Sequence, residues 1–257
     1  MADFCMQNNA NEGPLFTPQD TDSKDDLLEF VHNILPLFNE SNIDRLLESY
    51  PVSTTPSSSG VQYATNGTTP DTALNVSTFA TGTQQLANNL YAETLLVCPA
   101  YWMAEAFTGN DRKAYQYQYS VPGAQHGSDL PIYFGPPMEN QGEDFNRAIM
   151  TMLGNFVVHG DPSISIDVAR GSDPEANVEA ATAWPVYSTE APRLLNLNVT
   201  GGTPYSALST IPGVENITQL REPGLRNDFQ AVDAFEWEAE RGRRCDFWRS
   251  VASLVLE

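Results

Sequence analysis

The stretch AYQYQYSVPGAQHGSDLPIYFGP, residues 114–136, decides the reading of this chain. Tyr115, Tyr117 and Tyr119 alternate with Gln116 and Gln118, the period of two that marks a β-strand with one aromatic face. A tyrosine stripe of this kind is core packing. Directly after it, Pro122 and Gly123 open a loop that carries His126, one of only 3 histidines.

On both sides of this strand the pattern is helical. Upstream, QQLANNLYAETLLVCPAYWMAEAFTG reads as a long helix that Pro99 should kink or split. Downstream, EDFNRAIMTMLGNFVVHG places Phe145, Ile149, Met152 and Phe156 on one side, with His159 at the helix exit. Nearer the start, Ser23 caps a helix through KDDLLEFVHNIL, and Ser41 with Asp44 resembles a capping box for NIDRLLESY, which Pro51 ends. Residues 51–83, rich in Ser, Thr, Gly and Pro, show no period and read as a surface excursion. The tail alternates turns with short apolar pieces, WPVY and LLNLNV, before a last short helix in CDFWRSVASLVLE. Helix, strand, helix in this order predicts an α/β architecture with few strands for its length.

Composition narrows the function. With 13 basic against 33 acidic residues the net charge is −20, so no basic face exists for a nucleic acid backbone or an anionic membrane. No apolar run is long enough for a transmembrane segment, and MADFCMQNNANEG lacks the basic start and apolar core of a signal peptide. Five Asn-X-Ser/Thr triplets, at Asn39, Asn66, Asn75, Asn198 and Asn216, nevertheless suggest a secreted, N-glycosylated protein. The histidines and 3 cysteines never approach zinc spacing, and no glycine-rich phosphate loop follows a strand, so no metal and no cofactor are expected. A histidine on a loop just after a strand is where an α/β-hydrolase carries its general base.

The run HGSDLPIYFG, from His126, resembles the histidine loop of the type-B carboxylesterase family, which groups carboxylesterases, cholinesterases and fungal secreted lipases. NANEGPLF, LLVCPAYWMAEAF, NFVVHGDP, WPVY and RRCDFW follow in that family's order, so the resemblance runs from about Asn8 to the end of the chain. It implies one partial α/β-hydrolase domain over residues 1–257, with an ester or lipid as substrate of the intact protein. Carried over by residue, Glu12 is the triad acid and His126 the general base, with Asp129 a partner that orders the loop. Cys98 and Cys245 match the pair that cholinesterase-like members bridge, leaving Cys5 over.

The nucleophile does not fit so readily. In α/β-hydrolases the serine of G-x-S-x-G precedes the acid, yet only eleven residues precede Glu12, and the motif occurs nowhere in the chain. The expectation is a C-terminal half of a serine esterase or lipase, inactive alone, whose missing N-terminal half carries the nucleophile, the oxyanion loop and the secretion signal. The alternative is a non-catalytic cholinesterase-like interaction protein.

Overall fold

Strand β2, Ala114–Tyr119, occupies the expected position and is buried on both faces. The computed structural model describes residues 3–51, 67, 72–109 and 111–255; most of the 51–83 excursion, with Asn66, lies outside the described residues. Among these, four strands form one sheet in the order β1-β2-β3-β4, with β1 Phe4–Asn9, β3 Arg193–Leu208 and β4 Asn216–Asp233. The first three are parallel, and β4 returns antiparallel to β3.

Two helical layers cover the sheet, as its two buried faces require. The tyrosine face packs on α6, Gly142–His159, through Phe145, Ile149 and Met152, with α7, Ile166–Arg170, beside it. The opposite face, carrying Ala114, Gln116 and Gln118, lies under α3 Gly82–Ala92, α4 Cys98–Ala106 and α8 Trp237–Ser250. Helices α1, Lys24–Ile34, and α2, Glu40–Ser49, add Leu27, Val31, Ile43 and Leu46 to that second core. Ser23 caps α1 through a capping box with Asp26, but α2 begins earlier than expected, with Asn39 and not Ser41 accepting the free amide of Asn42.

Pro99 is absorbed by a change of helix type. Between α3 and α4 the chain makes one π-helical stretch, Glu93–Val97, in which the Cys98 N–H reaches back five residues to the Glu93 carbonyl. Proline then falls in the first turn of α4, where a missing N–H costs little. The wide turn also leaves Glu93 pointing into the core at 0% exposure.

The tail differs most from the sequence reading. In place of turns and short apolar pieces, β3 and β4 run 16 and 18 residues and pair from Arg193–Asp233 out to Leu208–Asn216. Gly201, Gly202 and Pro204 in β3, with Pro223 and Gly224 in β4, break the alternation. A register shift between Gly201 and Thr203 takes up the irregularity, and β4 lies at the edge, where a proline is tolerated. The outer half of this hairpin folds across the loop that follows β2: Gln219 donates to the Pro122 carbonyl at 3.4 Å, and Gln125 to the Thr210 hydroxyl at 2.7 Å.

Cys98 and Cys245 form a disulfide between α4 and α8, joining positions 147 apart in sequence. Cys5 sits on the α6 side of the sheet, where burial pushes its thiol up to about 12.

Candidate active site

Parallel pairing puts the carboxyl ends of β1 and β2 side by side, the edge at which open α/β sheets hold their ligands. The pairing continues past the strands: the Asn11 N–H bonds the Ala124 carbonyl at 2.9 Å, so the loop after β1 and the loop after β2 leave the sheet together. Glu12 lies on the first loop and His126 on the second. Two residues 114 positions apart thereby come into contact, with Glu12 Oε2 2.7 Å from His126 Nδ1.

Each loop has its own reason for its shape. Gly13 follows Glu12 because a Cβ there would lie 1.8 Å from the Asn88 carbonyl oxygen of α3, far inside contact distance. A Gly13→Ala chain is expected to lose roughly 1–3 kcal/mol of stability, read from urea denaturation, because the acid loop must lift off α3. Gly127 follows His126 with φ +80°, a conformation that side chains resist. The histidine loop is further held by Gln141, whose side-chain amide donates to the Ser128 carbonyl and the Tyr119 hydroxyl at 3.2 and 2.9 Å.

Glu12 is 4% exposed, and its two oxygens have separate duties. Oε1 accepts the Asn9 backbone N–H at 2.6 Å and the Asn9 side-chain amide at 3.1 Å. Oε2 is left for His126. A carboxylate can only accept, so Nδ1 carries the imidazole proton and Nε2 carries the lone pair. This is the tautomer a general base needs. The His126 side chain is 46% exposed, and the Phe16 ring meets the imidazole edge-on with centroids 5.1 Å apart.

Asp129 makes no hydrogen bond to His126. At 2% exposure it accepts the Asn9 side-chain amide at 3.1 Å and the Tyr133 hydroxyl at 2.7 Å, from the start of the short helix α5, Leu130–Phe134. Of the three residues that the sequence singles out, Glu12 meets His126 directly and is linked to Asp129 through Asn9, a residue that no sequence pattern marks. A signal for Tyr133 was present, since it lies four residues after Asp129, one helical turn on. His32 and His159 lie in the last turns of α1 and α6, away from this cluster.

Of the glycosylation candidates, Asn39 and Asn216 are exposed and Asn75 is half-buried. Asn198 is the exception. It lies within β3 at 5% exposure, with its side-chain Oδ1 accepting the Val199 N–H at 2.9 Å, and a glycan there would have to displace the strand's packing. Among the described residues, no helix is long and apolar enough to cross a membrane, and no group of three His, Cys, Asp or Glu side chains is placed to hold a metal.

Comparison with known proteins points one way. Residues 7–209 match the carboxylesterase family. An acetylcholinesterase from Bungarus fasciatus is 23% identical over 181 residues, covering 64% of this chain and 27% of that protein. The fold is similar to the crystal structure of Aspergillus niger EstA, with a TM-score of 0.52 and 13% identity over 98% of this chain and 40% of that one. The chain thus spans about a quarter of the length of the first relative and two-fifths of the second.

Proposed function

The chain belongs to the carboxylesterase family, and on that premise we propose that Glu12 and His126 are the acid and the general base of a serine-type carboxylic ester hydrolase. The observation that carries this reading is the 2.7 Å contact between Glu12 Oε2 and His126 Nδ1 at the carboxyl edge of the sheet. His126 Nε2 takes the proton of the serine hydroxyl as its oxygen attacks the ester carbonyl. The imidazolium, held by Glu12, then returns that proton to the leaving alcohol, and an acyl-enzyme remains. Water attacks the acyl group by the same steps in reverse.

The nucleophile is proposed to lie outside these 257 residues, because no serine in them stands in a G-x-S-x-G elbow. Base and acid without nucleophile and oxyanion donors supply little rate enhancement, since the group acts as a unit. This chain alone is therefore expected to turn over p-nitrophenyl butyrate no faster than buffer. Turnover that His126→Ala abolishes would place the nucleophile within the chain and overturn that part of the reading. The missing elbow also favours a second reading, a non-catalytic interaction domain. An in-frame G-x-S-x-G segment encoded upstream of NANEG supports the hydrolase, and its absence supports the second reading.

Secretion fits both readings. A disulfide persists in an oxidising compartment, and Asn39 and Asn216 are exposed, where a glycan meets least obstruction.

A further inference from the structure

Glu12 and Asp129 are two buried carboxylates, 4% and 2% exposed, that share a single amide. One N–H of the Asn9 side chain goes to Glu12 Oε1 and the other to Asp129 Oδ1, each at 3.1 Å. Chemistry fixes the orientation of this amide, since turned over it would set its oxygen against two carboxylates. Asn9 is itself 1% exposed at the end of β1, so it moves little. What holds the far side of the bridge is Tyr133, which donates its hydroxyl proton to Asp129 Oδ2 at 2.7 Å. With that proton committed, the Tyr133 oxygen can only accept from the Tyr117 hydroxyl that touches it. An unbroken chain of hydrogen bonds thus runs from Tyr117 through Tyr133, Asp129, Asn9 and Glu12 to the imidazole, with both carboxylates accepting from each side and the Asn9 amide donating to each.

We infer that Tyr133 is a positioning residue for the Glu12–His126 pair, acting through Asp129 and Asn9. Without the Tyr133 proton, Asp129 keeps only its bond to Asn9 and pulls that amide toward itself. Glu12 Oε1 then loses its side-chain donor, and the carboxylate is free to swing its second oxygen away from Nδ1. What passes along the chain is position: each carboxylate accepts from two sides, so losing one donor lets the other side draw the shared amide. The inference rests on Glu12 and His126 being the acid and base, and its test reads their bond directly, without any need for turnover.

In the full chain labelled with 15N-histidine, which holds only 3 histidines, the Nδ1 proton of His126 bonded to a carboxylate gives a far-downfield resonance distinct from those of His32 and His159. Glu12→Gln is expected to abolish it. Tyr133→Phe, which keeps the ring and removes the donor, is expected to shift it upfield and speed its exchange with water roughly tenfold, the scale of one lost hydrogen bond to a charged group. Asp129→Asn, which keeps the shape and removes the charge, ends the pull on Asn9, so adding Tyr133→Phe to Asp129→Asn is expected to speed the exchange no further. The indole N–H of Trp248, bonded to the Tyr50 hydroxyl at 2.6 Å in the opposite core, should keep its wild-type rate in each variant. A Tyr133→Phe chain whose His126 proton exchanges at the wild-type rate overturns the inference, as does an effect of Tyr133→Phe that persists in full on the Asp129→Asn background, or equal acceleration at Trp248, which signals general loosening. A resonance untouched by Glu12→Gln would instead overturn the pairing of Glu12 with His126.

Discussion

Glu93→Ala is expected to destabilise the chain by roughly 3–5 kcal/mol in urea denaturation, because it leaves two buried guanidinium groups without their counter-ion. Glu93 takes Arg241 Nε at 2.9 Å and both Nε and Nη2 of Arg244, at 2.8 and 2.7 Å. Asn89 and Tyr50 complete its coordination at 2.9 and 2.5 Å. Burial alone would raise this carboxyl, but Arg244 and Arg241 outweigh it and hold Glu93 at about 2, below the ordinary 4.5. A depressed carboxylate contributes stability above its unfolded value and loses it as pH falls through the folded one. Unfolding free energy should therefore fall between about pH 4.5 and pH 2. Glu93→Gln should flatten that limb while costing stability at neutral pH. A wild-type chain whose stability stays level across this window would contradict the assignment.

The second large effect concerns chemistry. In a protein that joins this chain to a segment bearing the serine elbow, Glu12→Gln should lower kcat roughly 10³- to 10⁴-fold with little change in KM. A side-chain amide at position 12 can present its own N–H to Nδ1 and so favour the tautomer that carries the proton on Nε2, where the lone pair is needed. Steady-state kinetics on a p-nitrophenyl ester decide this, and a loss under tenfold would remove Glu12 from the mechanism.

These two carboxylates differ in how openly the sequence shows them. Glu12 and His126 sit in loops directly after strands, where glycine neighbours and the aromatic alternation of residues 115–119 mark the place. Local pattern was enough there, because the two strands are adjacent and parallel. The Glu93 cluster leaves no such trace. In ERGRRCDFW no pattern separates inward from outward arginines, and only tertiary packing shows that Arg241 and Arg244 turn inward, toward a glutamate 148 residues from the first of them. The long β3–β4 hairpin was hidden for another reason. Its outer half rests on a small cluster of Phe79, Ile211 and Ile217, too little core to enforce an apolar alternation, and Leu208 at its end is 85% exposed. Asn9 escaped notice because an asparagine at a strand end looks like turn chemistry, although three residues later its side chain meets the acid.

The four-stranded sheet also governs which sulfur atoms can meet. Cys98 and Cys245 belong to the core on one side, and the ionic cluster of Glu93, in the π-helical stretch just before Cys98, with Arg241 and Arg244 of α8 ties those segments together. Cys5 lies on the other side of the β-sheet, and its thiol, at about 12, is almost wholly protonated at neutral pH and so a poor attacking group. Three cysteines permit three pairings, but once the strands have assembled a wall of backbone separates the odd thiol from the other two. Oxidative folding of this chain then has one destination, and the fidelity of its disulfide is a property of the sheet.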